Sequence, residues 1–116
     1  MIDLNEYLTK TVEVKIEDAV IHVKLPSCNV MAEIGKIEDS NKEDNTELYY
    51  KNRQKIAQVL LNFNMENRAF TDDEMDAFPS KAINTIIDTV MKARIEVALD
   101  PNSNSQSQTE TSAKQS

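Results

Sequence analysis

The chain has 116 residues, 40% of them apolar, and sets 13 Lys and Arg against 20 Asp and Glu for a formal charge of −7. That length holds one domain and leaves no room for a second core. The acidic balance lacks the basic footprint that phosphate-rich partners require, so neither nucleic acid nor an anionic membrane is expected as a partner. A single Cys cannot form an internal disulfide. The opening stretch MIDLNEYLTK has no basic start followed by a long apolar run, and no apolar run elsewhere approaches the roughly 20 residues of a membrane span. A cytoplasmic location is therefore expected.

In chain order, the first clear pattern is TVEVKIEDAVIHVKL, residues 11–25. Val12, Val14 and Ile16 alternate with Glu13 and Lys15, and Ile21, Val23 and Leu25 alternate with His22 and Lys24, which predicts two half-buried strands. Glu17, Asp18 and Ala19 form the short polar link of a hairpin. A lone hairpin is marginal in water, so its apolar face must lie on a helix or on a partner. Pro26 and Ser27 end the second strand, and Val30, Ile34 and Ile37 then recur at helical spacing, predicting a helix over about 27–38. Gly35 inside it weakens the helix by about 1 kcal/mol relative to Ala, or serves to let another backbone approach. The polar run from Glu38 to Asn45 reads as a solvated loop.

Residues 46–64 carry the clearest amphipathic pattern, with Leu48, Ile56, Val59, Leu60 and Phe63 along one stripe. NMENRAF is a polar connection. Thr71 to Glu74 then spell a capping box, with Phe70 and Met75 placed as its hydrophobic staple, and predict a short helix over 71–78. Pro79 stops it, and Ser80 is expected to cap a last helix over 80–99, in which Ile83, Ile86, Ile87, Val90, Met91, Ile95 and Ala98 keep a 3.6-residue period and form its core stripe. The result is an α+β domain over residues 1–100: an N-terminal β-hairpin followed by a mainly helical body of about four helices. Residues 101–116, PNSNSQSQTETSAKQS, are polar and of low complexity, so a disordered tail is expected. Glu110 and Lys114 cancel within it, which leaves the acidic charge on the body.

Catalytic chemistry has little support in these residues. Asp72, Asp73, Glu74 and Asp76 form the densest acidic cluster, but carboxylates in a first helical turn are already favoured by the helix dipole. The run from Asp39 to Tyr50 opens like a calcium loop and then departs from it, with Asp44 where Gly is needed and Tyr50 where Glu is needed. His22 is the only His and lies six residues from the only Cys, too poor a set for zinc. It is expected as a solvated or partly covered strand residue. Cys28 is expected as a half-buried structural residue without a base beside it. One Gly in the whole chain excludes a Gly-rich phosphate loop and a Ser nucleophile elbow. No catalytic residue, metal ligand or cofactor is expected.

What the chain does supply is apolar surface. Such a small body can leave one face partly covered, and partner binding or self-association follows from that. Tyr49 and Tyr50 precede Arg53 on the longest amphipathic stretch, and aromatic residues with Arg are typical interface anchors. With Phe70 and Phe78 around the short helix, they are the candidate partner-binding residues.

The hairpin TVEVKIEDAVIHVKLPS, the middle helix ending KIAQVLLNFNMENRAFTDDEMDAF and the last helix stopping at ALDPNS before a polar tail together resemble the tail assembly chaperones of long-tailed phages and prophages of Gram-positive hosts. The likeness covers about residues 4 to 102 and includes Leu25-Pro26-Ser27 and Asp100-Pro101-Asn102. It implies a non-catalytic protein that binds and solubilises the tape measure protein, helps recruit tail tube subunits, self-associates through its helices and leaves the finished particle. In that family a translational frameshift commonly appends a second domain. The alternative is a small acidic adaptor or anti-repressor that binds a host or phage regulator; it would present regularly spaced carboxylates, whereas a chaperone would present an apolar groove or an oligomer interface.

Overall fold

A computed structural model of the chain describes residues 1–40 and 45–99, so the expected tail over 101–116 lies outside the described residues. It begins with a turn of helix that the periodicity did not suggest, Asn5–Thr9 (α1), which buries none of its residues. The expected hairpin follows as Thr11–Ile16 (β1) and Ala19–Lys24 (β2), antiparallel, with Val12 opposite Val23 and Val14 opposite Ile21. Ala19 belongs to β2, which leaves Glu17 and Asp18 as a two-residue turn. Glu17 has φ 54°, the left-handed backbone that such turns need and that Gly adopts most easily.

Four further helices complete the described residues: Cys28–Asp39 (α2), Thr46–Asn62 (α3), Asp72–Asp76 (α4) and Ser80–Leu99 (α5). The starts of α2, α3 and α4 are set by side chains that accept the otherwise orphaned N–H groups of a first turn, whereas at α5 the Pro79 carbonyl accepts from Ala82 N and Ile83 N. Ser27 Oγ accepts from Val30 N, Asn45 Oδ1 accepts from Leu48 N, and Thr71 Oγ1 accepts from Glu74 N while the Glu74 carboxylate accepts from Thr71 N. Gly35 has open space where a Cβ would sit, so no neighbouring backbone requires it.

Helix α3 is the centre of the packing. It lies against α2 and α5, β2 packs on it, and β1 packs on α5. Ile21, Val23, Ile34, Ile56, Leu60, Leu61, Phe70, Met75, Ile83, Ile87 and Val90 form one buried cluster, with Phe70 and Met75 meeting there as the staple predicts. The core stripe expected along α5 ends sooner than its sequence period: Ile95 is 51% exposed, because the packed body ends before the helix does. Asn52 is buried within α3 and donates to Ser40 Oγ, tying α3 to the end of α2.

The polar NMENRAF connection is more than a linker. Asn64 bridges to Val23, so that Lys24 N donates to Phe63 O at 2.9 Å and Met65 N donates to His22 O at 3.0 Å, which partly covers the outer edge of β2. Side-chain amides supply the partners that this irregular backbone would otherwise lack. Asn64 accepts from Arg68 N and donates to the carbonyls of Leu61 and Arg68; Asn62 accepts from Phe70 N; Gln58 donates to Phe70 O.

Candidate functional site

The acidic run at α4 is engaged locally. Glu74 closes the capping box and pairs with Arg68, Asp72 accepts from Gln58, and Asp76 accepts from Gln54. Its Thr71 N–H and the nearby Arg68 guanidinium hold the Glu74 carboxyl below its ordinary value. Among the described residues, no group of three or more His, Cys, Asp or Glu is arranged to hold a metal ion. Cys28, expected half-buried, is exposed at the start of α2.

His22 is more engaged than its strand pattern suggests. Its Nδ1 is 2.6 Å from Glu66 Oε2, its backbone N–H donates to Glu66 Oε1 at 2.8 Å, and its Nε2 is 3.3 Å from Glu13 Oε2. The hydrogen bond to Glu66 is the main reason the imidazole titrates above its ordinary value, with the Glu66 and Glu13 charges acting in the same direction and desolvation against them. The same bond holds Glu66 below its ordinary value. This constellation fastens the connection after α3 to the hairpin.

Four of the five candidate partner-binding residues come together. Tyr50, Arg53 and Phe78 line a cleft of about 260 Å³ between α3 and the start of α5, with Ile83 and Asn84. Tyr49 stands beside it, its ring edge-to-face with Tyr50 at 5.4 Å. The tyrosines are 44% and 54% exposed. Arg53 is held in place by Asn84, whose Oδ1 accepts from Nε at 3.1 Å and from Nη2 at 2.8 Å. Phe78 is also a wall of a second, apolar groove of about 460 Å³, formed by Val14, Ile16, Ala82 and Ile86 beneath the hairpin. Phe70 borders that groove but is itself 2% exposed, with the Arg68 guanidinium 4.0 Å above its ring, so its place is in the core.

A third apolar groove, of about 610 Å³, lies toward the other end of α5. Tyr7 and Leu8 of α1 form one side, and Leu25, Phe63, Ile95 and Val97 line the rest. The sequence held no signal for it, because its walls come from four segments far apart in the chain. Among the described residues, no helix is long and apolar enough to cross a membrane. Set against protein-family models, curated proteins and solved structures, the chain matches none of them.

Proposed function

We propose that this chain is a non-catalytic binding protein, specifically a phage tail assembly chaperone that holds the tape measure protein and helps bring tail tube subunits to it. The surface that runs from Tyr49 and Tyr50 across Arg53 and Phe78 into the apolar groove under the hairpin carries this reading. It combines exposed aromatics, an Arg oriented by a neighbouring amide and an apolar floor, the composition of an interface anchor. Its shape suits the apolar stripe of a partner helix, the recognition mode expected for a long helical client. The layout of hairpin, middle helix and last helix, which resembles that chaperone family, supplies the identity of the client.

Co-expression with the long tape-measure-like protein of the same genome tests the reading. The expected result is co-purification and a several-fold rise in the client's solubility, lost when Tyr49, Tyr50 and Arg53 are replaced by Ala in a chain that remains folded. Repeating the experiment without residues 101–116 assigns or removes a role for that segment. A client that stays insoluble, with no complex formed, refutes the proposal and leaves the acidic adaptor as the better account.

A further inference from the structure

The hairpin has two edges, and the connection after α3 covers only that of β2. There Lys24 N donates to Phe63 O and Met65 N donates to His22 O, so the backbone groups of His22 and Lys24 point away from β1. The antiparallel register sets Glu13 opposite His22 and Lys15 opposite Val20. Such pairs turn their N–H and C=O groups away from each other, so those of Glu13 and Lys15 point outward from the hairpin. Among the described residues no third strand pairs with β1, no backbone group bonds to those of Glu13 and Lys15, and both residues are exposed. Two donors and two acceptors, about 6.8 Å apart along the strand, are thus offered in ladder geometry.

This edge borders the apolar groove of about 460 Å³. Val14, Lys15 and Ile16 all line it. Successive side chains of a strand point to opposite faces, so three consecutive lining residues mean that the groove follows the edge of β1 as well as its inner face. Phe78, Ala82 and Ile86 form the wall across from it. An extended segment laid along β1 sends two side chains, at i and i+2, past Val14 and Ile16 into the groove, and the one between them onto the outer face beside Lys15. Lys15 and Lys81, both at the groove, have no carboxylate within ion-pair distance among the described residues, whereas Glu13 is engaged by His22. Charge complementarity therefore selects an acidic residue for the middle position.

We infer that β1 is an acceptor strand for an extended segment of another protein, of the pattern apolar, acidic, apolar, which joins the hairpin as a third strand. Main-chain hydrogen bonds supply affinity and the groove supplies specificity. The segment over 101–116 does not carry this pattern, since Pro101 and Ala113 are its only nonpolar side chains. A helix satisfies its own backbone and leaves this edge unpaired, so the inference goes beyond the helical client and does not depend on it.

The test uses a capped heptapeptide, SGIEVGS, titrated to about 5 mM into the full chain while its amide signals are followed. The expected result is saturable binding with a dissociation constant below about 1 mM, and slower amide exchange at Glu13 and Lys15. SGSESGS does not bind. SGIKVGS binds at least about fivefold more weakly than SGIEVGS, and a chain with Lys15→Glu and Lys81→Glu reverses that order. N-methylation separates backbone pairing from side-chain contact, because alternate amides of an added strand face β1. A methyl on the central glutamate amide abolishes binding if the peptide runs antiparallel, one on the valine amide if it runs parallel, and the other methyl is tolerated. No saturable change overturns the inference, as do equal effects of the two methyl groups or an order of affinities indifferent to the charge exchange. Slow exchange at Glu13 and Lys15 in the free chain also overturns it, by giving the edge to a second copy or to another segment of the chain. The peptide alone reads this outcome, so it is distinct from success or failure of the client at the tyrosine face.

Discussion

Replacing Asn64 with Ala isolates what holds the connection after α3 to the hairpin. Asn64 is 3% exposed and its side chain makes three hydrogen bonds: Nδ2 donates to Leu61 O at 2.7 Å and to Arg68 O at 2.8 Å, and Oδ1 accepts from Arg68 N at 2.9 Å. At about 1 kcal/mol net for each bond, with a further penalty for partners left without water, the substitution costs about 3 to 4 kcal/mol. That is a large share of the roughly 5 to 15 kcal/mol available to a domain of this size. With a urea dependence of about 1.5 to 2 kcal/mol per molar, the unfolding midpoint falls by about 2 M. Asn64→Asp retains only the acceptor and places a charged oxygen against two carbonyls, so at neutral pH it falls at least as far. Amide exchange at Met65 and Lys24, whose N–H groups bond across the Val23 to Asn64 bridge, accelerates with the loss. A midpoint change below about 0.5 M, near 1 kcal/mol, would refute the argument that this amide organises the connection.

The His22 and Glu66 pair gives stability a pH dependence of defined sign. The His22 contribution is complete below its ordinary value of 6.5 and is lost as pH rises through its raised folded value; that of Glu66 is complete above its ordinary 4.5 and is lost as pH falls through its lowered one. The stability advantage of wild type over His22→Gln is therefore largest between 4.5 and 6.5 and shrinks in urea titrations as pH rises above 6.5 through the raised folded value. Gly35→Ala stabilises α2 by about 0.5 to 1 kcal/mol in the same assay, because a methyl group meets nothing there and the unfolded chain loses freedom. A loss of stability would show that α2 tolerates no side chain at that position. Thr71→Ala removes one half of the capping box at α4 and lowers stability by about 1 kcal/mol. Leu60→Ala, deep in the cluster at 1% exposure, lowers it by about 3 to 4 kcal/mol.

The elements read correctly from sequence are those in which a repeating pattern and a buried face coincide. Strict alternation placed Val12, Val14, Ile21 and Val23 on one side of the hairpin, and the Thr71 to Glu74 spacing marked the start of α4 because capping is local chemistry. Helix α1 escaped because it has five residues and no buried one, hence no apolar period to detect. The bridge from Asn64 to Val23 escaped because NMENRAF has no alternation; amides from Gln58, Asn62 and Asn64 fix its path, and their partners exist only in three dimensions. Ile95 shows the converse limit, since a helix can keep its period after the core beneath it has ended. The same reasoning divides the candidate site. Tyr49, Tyr50 and Arg53 are neighbours on one helix, so their grouping was visible in the sequence, and Phe78 joins them through the packing of α5 on α3. Phe70 is equally aromatic, but the staple with Met75 takes it inside.

The central claim is that the tyrosine face receives the client. Amide and side-chain chemical shifts of the labelled full chain, followed while a soluble helical fragment of the tape-measure-like protein is added, test it most directly. The expected result is a set of shifts clustered on Tyr49, Tyr50, Arg53, Phe78 and Asn84 and extending to Val14, Ile16 and Ile86 in the adjoining groove. Saturable shifts confined to another surface, or none at client concentrations that saturate co-purification, would contradict it.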